Sequence, residues 1–128
     1  EGALKLKEIS YVHAEAYHAA ELKHGPIALL EDGTPVVALL NEGAGKDKTL
    51  GNVAECQARQ ARVLGLTTEG DTDAISAVDD SIQVPIAPLH TAVIPSTVAL
   101  QLFAYHVARF KGCPIDQPRN LAKSVTVE

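Results

Sequence analysis

The chain has 128 residues and a formal net charge of −5, with 11 Lys and Arg residues against 16 Asp and Glu residues. At this length it forms one domain at most. The hydrophobic fraction of 46% and the charged fraction of 21% are typical of a soluble globular protein. The acidic balance argues against binding to nucleic acid or to an anionic membrane, because both need clustered Lys and Arg. The apolar runs are short, so we expect no membrane-spanning helix.

The cysteines and histidines lack the spacing of a metal or disulfide site. Cys56 and Cys113 are far apart and form no CxxC motif, which predicts reduced thiols in a cytoplasmic protein. His13 and His18 are five positions apart, and no HExxH pattern is present. We therefore expect neither a metal ion nor an organic cofactor.

The first predicted element is an amphipathic helix over residues 1–20. Small and apolar residues, apart from one histidine, recur along one stripe at helical spacing: Gly2, Leu6, Ile9, His13, Ala16 and Ala20. The dipeptide Gly25-Pro26 ends any helix there, because the residue before a proline avoids the α conformation.

Strand and helix patterns alternate after residue 34. Strands are predicted over 35–40, 63–67 and 81–84, helices over 46–62 and 91–111, and a polar connection over 70–80. The continuous apolar run at 35–40 is typical of a strand covered on both faces. Gly112 ends the last helix. This alternation predicts an α/β fold, a three-layer parallel sheet of flavodoxin-like type with helices on both faces.

The sheet predicted in this way is thin. A strand before residue 1 would normally complete it, and the chain contains no methionine. We interpret the chain as a piece of a longer protein whose first strand is missing.

The segment Gly43-Ala-Gly-Lys46 lies between a strand and a helix but lacks the other residues of a phosphate-binding loop, because Asp47 stands where Ser or Thr should follow the lysine.

Two groups of residues could carry chemistry. Glu1, Lys5 and Glu8 share one face of the first helix, where they form either a solvated ion-pair face or a proton-transfer group. Lys123 is the one lysine among the last thirteen residues, 116–128. It is either a surface lysine or a nucleophile that forms a Schiff base with a bound carbonyl.

The motifs ELKHGP and QPRNLAKSVTVE resemble the isomerase half of the glutamine–fructose-6-phosphate aminotransferases, which has the sugar isomerase (SIS) fold. The match is close over residues 1–30 and 100–128 and loose over 41–97. The resemblance implies that residues 1–113 form the second SIS lobe, truncated at its N-terminus, and that residues 114–128 form a tail with the Schiff-base lysine.

The resemblance also implies roles for single residues. Glu8 is the base that moves a proton between C1 and C2 of the sugar, and Lys5 and Glu1 are supporting charges. His24 opens the sugar ring in the active site of the neighbouring subunit, which implies a homodimer. Lys123 forms a Schiff base with open-chain fructose 6-phosphate. We assign Arg119 and Asn120 to holding the tail in place.

The implied partners are fructose 6-phosphate, glucosamine 6-phosphate, and the first SIS lobe and glutaminase domain of a parent enzyme in amino-sugar biosynthesis. No Ser/Thr-rich loop suited to a sugar phosphate is visible in the sequence. We therefore expect the chain alone to be inactive. Two alternatives stay open, namely another SIS-fold sugar-phosphate isomerase or deglycase and a non-catalytic lobe that binds sugar phosphates.

Overall fold

The computed structural model describes residues 1–43 and 45–119. The chain begins with helix α1 (Gly2–Ser10), two 3-10 helices (Ala19–His24 and Pro26–Leu29) and strand β1 (Pro35–Leu40). It continues with helix α2 (Lys46–Gln57), strand β2 (Arg62–Thr68), helix α3 (Thr72–Ser76), strand β3 (Asp80–Val84) and helix α4 (Val93–Phe110). Across the described ranges, no helix has the length and apolar character needed to cross a membrane.

The three strands form one parallel sheet in the order β1-β2-β3. Pro35 pairs with Arg62 at the start of the first ladder, and Leu64 pairs with Asp80 at the start of the second. Each crossover between neighbouring strands contains a helix, as parallel pairing requires. The predicted α/β fold with a parallel sheet is confirmed.

The sheet belongs to a compact unit that spans Tyr17–Ser96. Its core contains Leu40 and Val63 from the sheet together with Val53 and Cys56 from α2, and all four are almost fully buried. The opposite face of β1 is more open, because Leu39 is 50% exposed. Among the described residues, β1 is therefore covered more completely on the face that packs against α2.

A second compact unit combines Glu1–Ala16 with residues 97–119. Here α1 and α4 approach closely, because Gly2 is buried and a Cβ at this position would lie 3.0 Å from Cβ of Leu100. Lys111 donates a hydrogen bond from its Nζ to the main-chain oxygen of Ser10 at 2.7 Å. This bond satisfies a carbonyl at the end of α1 that has no partner inside the helix.

The predicted helix over residues 1–20 is wrong beyond Ser10. Tyr11 takes a left-handed conformation with φ 56° and ψ 30°, and its N–H bonds the carbonyl of Leu6. The Ser10 hydroxyl also donates to that carbonyl at 2.6 Å. These local bonds compete with the i to i−4 hydrogen bonds that would continue the helix. The helix therefore ends at Ser10, although the apolar stripe continues in the sequence.

Two other boundaries also differ from prediction. Helix α2 ends at Gln57 rather than at residue 62, and Gln60 adopts a positive φ of 63° in the turn that follows. The polar connection predicted over residues 70–80 contains helix α3, whose N-cap is Asp71. The Asp71 carboxylate accepts a hydrogen bond from the N–H of Ala74, which is the usual reason for an acidic residue at this position.

Candidate functional site

Helix α1 places a cation against the carboxylate proposed as a base. Nζ of Lys5 lies 2.9 Å from Oε2 of Glu8, and the two side chains are 27% and 30% exposed. The residues are three positions apart, so both project from the same side of the helix. Partial burial weakens the screening of such a pair by solvent. The structure therefore brings together two of the three charged residues that the sequence places on this face.

The third of those residues, Glu1, has a partner on α4. Its Oε1 accepts a hydrogen bond from Nε2 of Gln101 at 3.0 Å. Glu1 is the N-cap residue of α1, and its main-chain oxygen also accepts the N–H of Lys5. Its carboxylate is thus fixed where the positive end of the helix dipole stabilises negative charge.

His24 is the last residue of the 3-10 helix Ala19–His24, in the Tyr17–Ser96 unit. Its Nδ1 lies 3.0 Å from Oε2 of Glu21, and its side chain is 72% exposed. When Nδ1 carries the ring proton, it donates a hydrogen bond to Oε2 of Glu21, and Nε2 is the acceptor nitrogen of the neutral ring. The ring of His24 is therefore accessible to solvent.

Lys123 and Asn120 lie outside the described residues. Arg119, the last described residue, has its guanidinium carbon 3.7 Å from the centroid of the Tyr11 ring. Its backbone N–H donates to the Tyr11 hydroxyl at 3.0 Å. Residue 119 of the tail therefore has a defined partner at the end of α1.

The segment that resembles a phosphate-binding loop carries an ion-pair cluster instead. Nζ of Lys46 lies 2.8 Å from Oε1 of Glu42 and 2.8 Å from Oδ2 of Asp71. Both hydrogen bonds raise the pKa of Lys46 above its usual range, and the bond to Asp71 has the larger effect. The bond from Lys46 in turn lowers the pKa of the Asp71 carboxyl. With two carboxylates already bound, Lys46 connects the loops after β1 and β2 rather than offering a free charge to phosphate.

The thiol of Cys56 is an unreactive core group. It is almost fully buried, and this burial raises its pKa, which disfavours the nucleophilic thiolate. Among the described residues, no group of three or more His, Cys, Asp or Glu side chains could hold a metal ion.

Two contacts at these sites were missed by the sequence analysis. Glu21 bonds His24, and its position three residues earlier was a usable signal, because residues at this spacing lie on one side of a helix. Tyr11 contacts Arg119, but the two positions are far apart in the sequence and only the fold brings them together. No local pattern could have indicated the second contact.

The profile of the SIS domain matches residues 1–109. A glutamine–fructose-6-phosphate aminotransferase (isomerizing) from Synechocystis sp. (strain PCC 6803) is 53% identical over 128 residues, which is 100% of this chain and 20% of that protein. The chain thus spans about one fifth of the curated relatives that it matches.

Two solved structures are also similar. The C-terminal domain of glucosamine-fructose-6-phosphate aminotransferase from Francisella tularensis aligns with a TM-score of 0.78 and 42% identity, over 90% of this chain and 32% of that one. Glucosamine-6-phosphate deaminase from Thermotoga maritima aligns with a TM-score of 0.69 and 27% identity, over 93% of this chain and 33% of that one. The chain belongs to the SIS domain family and corresponds to the C-terminal SIS region of the glutamine–fructose-6-phosphate aminotransferases.

Proposed function

We propose that the chain is part of the isomerase half of an enzyme that converts fructose 6-phosphate and glutamine-derived ammonia to glucosamine 6-phosphate. The observation that carries the proposal is the identity of 53% over the whole chain to a glutamine–fructose-6-phosphate aminotransferase. The first SIS lobe and a glutaminase domain complete the enzyme, which acts as a homodimer in the cytoplasm. Residues 1–113 form the second lobe and residues 114–128 the catalytic tail.

Lys123 begins the chemistry in this proposal. Its neutral amine adds to the C2 carbonyl of open-chain fructose 6-phosphate, and loss of water gives an imine. Ammonia then displaces the lysine and leaves nitrogen on C2.

Glu8 completes the conversion by moving a proton from C1 to C2, which turns the ketose derivative into the aldose. The distance of 2.9 Å from Lys5 supports this role, because the ammonium balances the negative charge of the base before it takes the proton. His24 acts earlier, in the neighbouring subunit, by passing a proton during ring opening. Its exposed ring and its bond to Glu21 support a role in proton transfer.

The similarity to glucosamine-6-phosphate deaminase favours a second candidate, a SIS-fold deaminase acting on the same sugar phosphates. The two candidates differ in whether a lysine in the tail bonds to the sugar. Higher identity to the aminotransferase domain, 42% against 27%, favours the first.

Borohydride reduction tests the proposed role of Lys123. An imine is reducible and an ion pair is not, so reduction of the full-length protein with fructose 6-phosphate should attach the sugar to Lys123, as read by peptide mass spectrometry. Lys123→Arg should bind the sugar and form no adduct, because the guanidinium stays protonated. Lys48→Arg, at an exposed position on α2, is the matched control and should react like the wild type.

A deaminase that does not use the tail would give no adduct on Lys123. An adduct on another lysine, or one that persists in Lys123→Arg, would contradict the proposal. The 128-residue chain by itself should form no adduct, since it lacks the phosphate-binding part of the site.

A further inference from the structure

Tyr11 holds a backbone conformation that its residue type disfavours. Its φ of 56° and ψ of 30° are left-handed, at the position after α1 where glycine or asparagine is the usual choice. An aromatic residue in this conformation is uncommon, and such outliers are retained where the surrounding structure imposes them. The choice of tyrosine therefore points to a need for its side chain.

Two different contacts engage that side chain, and both come from Arg119. The guanidinium carbon lies 3.7 Å from the ring centroid, which is the geometry of a cation–π contact. The backbone N–H of the same residue donates to the hydroxyl at 3.0 Å. A ring contact together with a main-chain bond fixes the position of residue 119 more tightly than either one alone.

In the sequence, the two residues of this contact are close to two residues of the proposed mechanism. Lys123 follows Arg119 by four residues, and four residues of extended chain span at most about 14 Å. Glu8 precedes Tyr11 by three residues in α1. The C-terminal part of α1 therefore carries the proposed base, and the residue after this helix holds residue 119 of the tail.

We propose that Tyr11 is a positioning residue that anchors the tail at Arg119 and thereby limits where Lys123 can react. The proposal rests on the proposed function, in which Lys123 attacks the sugar carbonyl. Tyr11 acts through the tail and does not contact the sugar. Loss of the anchor removes the limit that four residues of chain place on the distance between Tyr11 and the lysine, which lowers the effective concentration of the amine at the carbonyl.

Two substitutions in the full-length protein separate this role from a structural one. Tyr11→Asn removes the ring and keeps a residue that tolerates the left-handed conformation. Because both contacts are lost, we expect the adduct on Lys123 to form about tenfold more slowly at saturating fructose 6-phosphate. The Tm of this variant should equal or exceed that of the wild type. Tyr11→Phe keeps the ring and loses the hydroxyl, so a fall of about fivefold is expected.

A double-substitution cycle checks that the effect runs through Arg119. Arg119→Gln removes the cation and should slow adduct formation. Tyr11→Asn combined with Arg119→Gln should be no slower than Tyr11→Asn alone, because residues that act through one contact are not additive. Additive effects would overturn the proposal.

Amide hydrogen exchange measures the anchor without any sugar chemistry. Tyr11→Phe removes the acceptor of the Arg119 N–H, so exchange at residue 119 should accelerate. If amide exchange at residue 119 is unchanged in Tyr11→Phe, the anchor is overturned whatever the adduct rate at Lys123. If the exchange is faster but the adduct still forms at the wild-type rate, the positioning role is overturned. If the wild type forms no adduct on Lys123, the proposed function fails instead, and the exchange measurement still decides whether the anchor exists. Should Tyr11→Asn not fold, Tyr11→Phe and Arg119→Gln give the same decision.

Discussion

Among single residues, the proposed mechanism depends most directly on the carboxylate of Glu8. Glu8→Gln keeps the side-chain shape and the contact with Lys5 but cannot accept a proton. In the full-length protein we expect sugar binding to persist and isomerisation to fall by about 10²–10⁴-fold, the usual contribution of a positioned base. Exchange of the C1 hydrogen of the sugar with solvent deuterium measures this step.

A control for that substitution is Glu31→Gln, at an exposed position before β1. It should leave the exchange rate unchanged. If Glu8→Gln still exchanges the C1 hydrogen at the wild-type rate, Glu8 is not the base, and its pairing with Lys5 only stabilises α1.

Residues differ in how far the sequence can reveal their partners. The pairing of Lys5 with Glu8 follows from helical spacing, so the sequence predicted a shared face correctly. The contact of Tyr11 with Arg119 depends on the fold that brings residue 119 to the end of α1. The left-handed conformation of Tyr11 also runs against its residue type, so local preference predicted a continuing helix.

The packing of α1 on α4 depends on the absence of a side chain at Gly2. A Cβ there would lie 3.0 Å from Cβ and 3.0 Å from Cδ1 of Leu100. The higher helix propensity of alanine should raise the stability of Gly2→Ala by about 1 kcal/mol. Crowding of a packed interface lowers stability by about 1–3 kcal/mol. Because Cβ of Leu100 is fixed to its backbone, we expect crowding to exceed the propensity gain and lower stability by about 1 kcal/mol. Thermal unfolding measures the change.

Gly51 in α2 offers a matched control, since a Cβ at that position meets nothing within 4 Å. Gly51→Ala should therefore raise stability by up to about 1 kcal/mol through helix propensity alone. Equal gains at both positions would show that Leu100 yields without cost and that α1 can move relative to α4.

Elements were predictable where local pattern and packing agree. The apolar strands and the long α4 follow from their composition, and each lies within a few residues of its predicted position. The end of α1 depends instead on the left-handed Tyr11, and Lys111 bonds the Ser10 carbonyl there from across the sequence. Helix α3 has only five residues, and its Asp71 cap was part of a stretch that looked uniformly polar.

In the whole molecule, the proposed site extends beyond the residues of this chain. The chain spans 20% of an aminotransferase relative, so the phosphate-binding part of the site is assigned to the rest of the enzyme. We further propose that His24 serves the neighbouring subunit while Lys123 serves its own. A homodimer has two equivalent sites, which makes this arrangement testable by mixing subunits.

The test mixes full-length subunits carrying His24→Ala with subunits carrying Lys123→Ala. If the two residues reach one site from different chains, each mixed dimer has one intact site and one site that lacks both groups. Random pairing makes half of the dimers mixed, so the activity should recover to roughly one quarter of the wild-type value. Each parent alone should stay inactive, and mixing must be verified by native mass spectrometry. If proven mixed dimers are as inactive as the parents, both residues act within one chain, and the exposed ring of His24 then needs a partner from its own subunit.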